Sequence, residues 1–127
     1  MEQKVAKKRT TGDIVAGKTG GCRVEIKFVN SRLHRAYLKS KTENPLLRKW
    51  LTRAFDDISE NPRCGIFITK QRIPKYYIQK YGIKNLWKYD LPKGWRLLYS
   101  ISGEEVWIIA LILEWLTHPQ YERRFGY

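Results

Sequence analysis

His118 and Tyr121 stand three residues apart in the tail of the chain, with Arg123 and Arg124 just after them. Arg96 stands between Trp95 and Leu97, inside a strand-like pattern that would take an apolar residue by default. These residue types can cleave RNA without a metal. The reaction needs a base to take the proton of a 2′-hydroxyl, an acid to protonate the leaving 5′-oxygen, and cations to hold the extra charge on the phosphate. An imidazole titrates near neutrality and suits either proton-transfer role, and His118 is one of two histidines in the chain. Tyr121 lies close to it if the tail is helical. Arg96 can supply a fixed positive charge, to which Lys88, Lys70 or Arg72 can add. The same residues also fit a structural histidine packed at the mouth of a C-terminal turn. His34, the other histidine, reads as a surface position on a helix.

The overall charge agrees with a polyanionic partner. Lys and Arg number 25 against 12 Asp and Glu, a net +13 at pH 7 in 127 residues, which points to RNA, DNA or an anionic surface. A membrane fits least, because the longest apolar run, Val106 to Leu113, is far shorter than the roughly 20 residues that span a bilayer. The basic start MEQKVAKKRT has no apolar segment after it, so neither a signal peptide nor an anchor is expected and the chain reads as cytoplasmic. Between Lys70 and Lys84, Lys70, Arg72, Lys75, Lys80 and Lys84 interleave with Tyr76, Tyr77 and Tyr81, and no acidic residue intervenes. Cations for phosphates beside rings for bases make a single-strand binding surface; a solvated basic helix whose tyrosines pack on a sheet explains the pattern equally well. Arg123 and Arg124 extend the RNA-binding candidates into the tail.

No metal or cofactor is indicated. Cys22 and Cys64 lie far apart without ligand spacing and read as small core-like residues in or beside strands. Asp56 and Asp57 are adjacent on a helical pattern, so their side chains diverge by about 100° instead of meeting on one ion. The segment Ala16-Gly-Lys-Thr lacks the first glycine and the preceding strand of a phosphate loop.

These groups must be positioned by the elements around them. Residues 1–21 show no periodicity and end in Gly-Lys-Thr-Gly-Gly, the composition of a flexible basic arm; residues 22–127 read as a single domain. Arg23 to Val29 alternates charged with apolar, as a half-buried strand does. Asn30 or Ser31 can cap a helix, and Asn44-Pro45 starts a second one that runs to about Ser59 with Leu47, Trp50, Leu51, Ala54, Phe55 and Ile58 on one stripe. Cys64 to Thr69 is a strand candidate, and Pro74 to Gly82 a short helix. Leu86 to Leu91 and Trp95 to Ile101 form a hairpin around Pro92-Lys-Gly, and Val106 to Leu113 is a central strand covered on both faces. Pro119 can start a short terminal helix. The order describes an α+β domain: a small, mainly antiparallel sheet with two N-terminal helices packed on one face.

From Val24 onward the chain resembles the RelE/HigB family of toxin ribonucleases, part of the RelE/ParE superfamily of toxin–antitoxin systems. Three features carry the resemblance. They are the element order, the segment Gly-Trp-Arg-Leu-Leu-Tyr (94–99), similar to the family's glycine–aromatic–arginine strand, and Thr-His-Pro-Gln-Tyr-Glu (117–122), similar to the Thr-His-x-x-Tyr-acidic tail of HigB-type members. The resemblance implies an endoribonuclease that cleaves messenger RNA, commonly on the ribosome, by metal-free 2′-hydroxyl attack and under the control of an antitoxin. It implies Arg96 as phosphate stabiliser, His118 and Tyr121 as proton-transfer or positioning groups, and Lys88 in a strand where the family often carries catalytic cations. The pair of lysines found there in some members is not reproduced, which leaves the base unassigned. The 71–83 segment is longer than usual and the arm is extra. A non-catalytic RNA- or ribosome-binding protein on the same fold is the alternative. Gyrase-poisoning relatives fit less well, since they do not require the His-x-x-Tyr tail.

Overall fold

The computed structural model describes residues 13–19, 22–103 and 106–127, with side chains described from residue 23 onward. The elements in chain order are β1 (Asp13–Thr19), β2 (Cys22–Phe28), α1 (Ser31–Glu43), α2 (Pro45–Glu60), β3 (Ile66–Ile68), α3 (Lys75–Tyr81), β4 (Leu86–Asp90), β5 (Arg96–Gly103), β6 (Trp107–Leu116) and α4 (His118–Phe125). Single 3₁₀ turns at Lys70–Arg72 and Pro92–Gly94 lead into α3 and join β4 to β5. The helix boundaries have local causes. The Asn30 Oδ1 accepts the Leu33 N–H at 2.9 Å and the Asn44 Oδ1 accepts the Leu47 N–H at 3.3 Å, each relieving a first-turn donor that has no partner within the helix. Pro45 then occupies the first turn of α2 without sacrificing a bond, and Gly82, at φ 65°, closes α3 in the left-handed conformation.

Among the described residues six strands run in the order β1-β2-β6-β5-β4-β3. All neighbours are antiparallel except β2 and β6, which are parallel. The crossover from β2 to the far strands consists of α1 and α2, and it puts both helices on one face. There Ile26, Phe28, Leu97, Tyr99, Ala110 and Ile112 pack against Tyr37, Leu47, Leu51, Ala54, Phe55 and Ile58. β6, apolar from Trp107 to Leu113, lies inside the sheet, between β2 and β5. Its second face is covered as well: Leu86, Leu98, Leu113 and Leu116 meet Tyr77 of α3 and Tyr121 of α4. The α+β class, the two N-terminal helices on one face and the short C-terminal helix all stand as expected; the second layer, built from α3 and α4, is the addition.

Two local expectations are corrected. The stretch expected to be a featureless arm contains β1, paired antiparallel with the outer edge of β2. Between Ile14 and Gly17 the register slips by one extra residue on β1, a bulge that breaks the period of two by which a strand is recognised in sequence. The rest of the arm lies outside the described residues, apart from β1. Cys64, expected in the core, is exposed. It sits in the turn before β3, its N–H bonded to the Asn61 carbonyl at 2.9 Å; partial burial and the nearby Asp57 carboxylate push its thiol pKa up, away from thiolate reactivity.

One close approach fixes the start of β3. Tyr99, fully buried, donates its hydroxyl to the Pro62 carbonyl at 2.7 Å and accepts the Gly65 N–H at 3.1 Å. A Cβ at Gly65 would lie 2.6 Å from that hydroxyl and 2.7 Å from the Lys88 carbonyl, so only glycine lets the chain pass over β4 and β5 at this point.

Candidate active site and nucleic-acid interface

Strand register assembles the centre of the site. Asp90 at the end of β4 lies directly opposite Arg96 at the start of β5, and Lys88, two residues earlier, faces the same way. Asp90 Oδ1 is 2.9 Å from Lys88 Nζ and 3.2 Å from Arg96 Nε. Both cations are largely covered, at 17% and 18% exposure, while Asp90 is half exposed. The Arg96 Nε is buried and makes no hydrogen bond, so its attraction to Asp90 is Coulombic, with the N–H off the axis; the other end of the guanidinium donates to the Gly94 carbonyl at 2.7 Å. Tyr121 of α4 lies beside both cations, with Arg96 Cζ 5.1 Å and Lys88 Nζ 5.9 Å from its ring centre. The ring's negative face stabilises the two charges. Burial, reinforced by Tyr127 alongside and opposed by Arg96, pushes the Tyr121 phenol up to about 12. At neutral pH it is a hydrogen-bond donor and not a base.

His118 is the first residue of α4. Thr117 caps the helix reciprocally with Gln120: the Thr117 hydroxyl accepts the Gln120 N–H at 3.4 Å, and the Gln120 side chain accepts the Thr117 N–H at 2.9 Å. Half exposed, the imidazole places Nε2 3.1 Å from Glu122 Oε2, one turn on. Its Cβ abuts the β4–β5 turn, where Gly94 has φ 80° and an added Cβ would lie 3.0 Å away. Gly94 therefore leaves no room for a side chain beside His118 while its carbonyl accepts from Arg96, and it serves as the joint between the two.

The structure thus brings Lys88, Arg96 and Tyr121 into one cluster and packs His118 against the turn that holds Arg96. The imidazole's carboxylate neighbour is Glu122 and not the cluster's own Asp90. Sequence reasoning missed Asp90 and Glu122. Asp90 was recoverable, since a hairpin centred on Pro92-Lys-Gly puts residues 90 and 96 opposite each other. Glu122 was also recoverable, being four residues from His118 on a helix.

The basic segment and the tail divide into two sets. Lys70, Arg72, Lys75, Lys80, Lys84 and Arg123 are exposed. Arg124 is not a free cation: its Nε and Nη2 lie 3.1 and 3.3 Å from the two oxygens of Glu114 on β6. Burial disfavours its charge, but the carboxylate outweighs this and the pKa rises. Tyr77 donates its hydroxyl to the same Glu114 at 2.5 Å and is held far above its ordinary pKa by burial and that bond. Tyr77 is fully buried, and one face of Tyr76 is covered by the Arg124 guanidinium at 3.7 Å. Lys80 reaches back to the Tyr76 hydroxyl at 3.1 Å. The tyrosines of α3 therefore serve chiefly to dock the helix on the sheet, and the lysines around them form the charged surface.

Fold and site together define a strongly basic α+β protein with a cation–tyrosine–histidine cluster at one end of its sheet. No protein-family model, curated protein or solved structure matches the chain. Among the described residues no helix is long and apolar enough to cross a membrane.

Proposed function

We propose that the chain is a metal-independent endoribonuclease that cleaves messenger RNA, acting on the ribosome in the cytoplasm as the toxin of a toxin–antitoxin pair. The observation that carries this reading is the convergence of Arg96 and Lys88 on the Tyr121 ring beside the turn that seats His118. In the reaction a 2′-hydroxyl loses its proton and attacks the adjacent phosphorus. The bond to the 5′-oxygen breaks, that oxygen takes up a proton, and the products are a 2′,3′-cyclic phosphate and a free 5′-hydroxyl. Arg96 and Lys88 exchange their pairing with Asp90 for the phosphate oxygens, where charge accumulates. Tyr121 donates a hydrogen bond, and His118, oriented by Glu122, transfers the proton. The resemblance to RelE/HigB toxins supports the ribosome and the antitoxin as partners.

A non-catalytic RNA- or ribosome-binding role is favoured by one observation: both cations already have a carboxylate partner, and so does the histidine. The two readings separate on purified protein incubated with translating ribosomes. Cleavage leaving 2′,3′-cyclic ends, reduced on the order of 100-fold or more in Arg96→Ala and His118→Ala variants that keep the parent's circular dichroism, supports the enzyme. Intact messenger RNA in the presence of the parent, with ribosome binding retained, supports the binder.

A further inference from the structure

Beyond the cleavage site, the 3₁₀ turn before α3 and the end of α4 face each other across a cleft of about 530 Å³. Its wall carries Arg72, Lys75, Arg123 and Arg124 together with Tyr76, Phe125 and Tyr127, and no side-chain carboxylate lines it. The volume lies within the roughly 300–1,000 Å³ of small-ligand sites. Two of its cations are already committed: Arg124 to Glu114, and Arg72 to Tyr127, whose hydroxyl it approaches at 2.5 Å with its guanidinium 5.6 Å from the ring centre. Lys75 and Arg123 are exposed and, among the described residues, make no ion pair. Tyr127 is 64% exposed, and Arg72 and Phe125, whose ring centre is 6.3 Å away, stiffen it. The cleft therefore pairs two free cations with a braced, open aromatic ring.

We infer that this cleft is a nucleotide subsite for single-stranded RNA, with Lys75 and Arg123 on a phosphate and a base stacked on Tyr127. Exposed rings stack on bases of any sequence while cations follow the backbone, and the bases of a duplex, stacked on one another, offer no free face to Tyr127. Its position ties it to the cleavage cluster. The Tyr121 ring beside Arg96 is also 4.4 Å from Phe125 and 6.0 Å from Tyr127, centre to centre. A strand whose scissile phosphate rests on Lys88 and Arg96 passes Tyr121 and delivers a neighbouring nucleotide to the cleft. In that respect the subsite deepens the ribonuclease reading, yet it requires binding only.

The test uses the full chain and a labelled single-stranded 2′-O-methyl RNA, which cannot be cleaved because the attacking hydroxyl is blocked. Fluorescence anisotropy across a salt series gives the affinity and its slope. Tyr127→Ala is expected to weaken binding about 5- to 100-fold, and Tyr127→Phe much less. Arg123→Ala is expected to lower the logarithmic salt slope by about 0.7, the value of one phosphate contact on a single strand. Equal affinity of parent and Tyr127→Ala, or duplex RNA competing as well as single-stranded RNA, overturns the subsite. If unmodified RNA is left intact while these variants still lose affinity, the cleavage reading fails and the subsite stands. If the parent cleaves but the variants bind normally, the reverse holds.

Discussion

At the scale of single residues, each candidate group has a defined partner among its neighbours. Asp90 is shared by Lys88 and Arg96; because it is half exposed, such pairing contributes only about 0–1 kcal/mol to stability. A phosphate, with more charge and more acceptors, can displace it. Tyr121 differs in being buried, and its pKa of about 12 stands above the ordinary 10.0. Tyr89 is likewise raised to about 12, by burial and by donating its hydroxyl to Asp57. A group whose proton is held more tightly in the folded than in the unfolded chain stabilises fully below its unfolded pKa and loses that contribution as pH rises through the folded one. The protein should therefore keep its urea midpoint up to about pH 10 and lose stability progressively between 10 and 12. Tyr121→Phe should lose less over that interval than the parent. A parent and variant falling in parallel would show that Tyr121 is solvated in the folded state.

At the scale of elements, the site depends on how α4 is attached. The helix carries His118 and Tyr121 and is fastened at its start by the Thr117–Gln120 cap and at its end by Arg124 on Glu114. The same carboxylate receives Tyr77 of α3. One β6 side chain thus docks both helices of the second layer, and through them the basic rim. Glu114→Gln keeps the shape and removes the charge that Arg124 needs. Because both partners retain some exposure, the expected cost is about 1–3 kcal/mol, measured as a lower denaturant midpoint. Cleavage should fall with it, since α4 loses its anchor. An unchanged midpoint would mean that water replaces the carboxylate without loss.

For the whole molecule, the sheet's two ends are treated differently. The β3 edge is three residues long, short enough to discourage pairing with other chains. At the opposite end β1 covers the edge of β2. Removing residues 1–21 would leave β2 unpaired along one side, and an exposed edge of this kind templates association. The truncated chain is expected to elute as larger species in size-exclusion chromatography and to unfold at lower temperature. A monomer of unchanged thermal midpoint would show that β1 is dispensable and that residues 1–21 serve as an arm after all.

Much of this organisation was legible from local chemistry. The capping asparagines, the stripe of α2, the alternation in β2 and the apolar run of β6 up to Leu113 each express a short-range rule, and the α+β class follows from their order. Arg96, Lys88 and Tyr121 were legible as candidates because a cation within a strand and a His-x-x-Tyr tail are local anomalies. The rest required the folded chain. Whether α3's tyrosines face bases or the sheet depends on Glu114, which is distant in sequence, and local pattern carries no information about such a partner. β1 was hidden because its bulge breaks the alternation that marks strands. The pairing of Asp90 with Arg96 follows from register, and the contact of Gly94 with His118 from the packing of α4 on the β4–β5 turn. By itself, then, the sequence determined which residues were available and which elements carry them, since helix caps, turns and hydrophobic period act within a few residues. Only the tertiary structure decided which cations are spent on carboxylates and which remain for a ligand, because charge pairing acts across the sheet between residues that the chain keeps far apart.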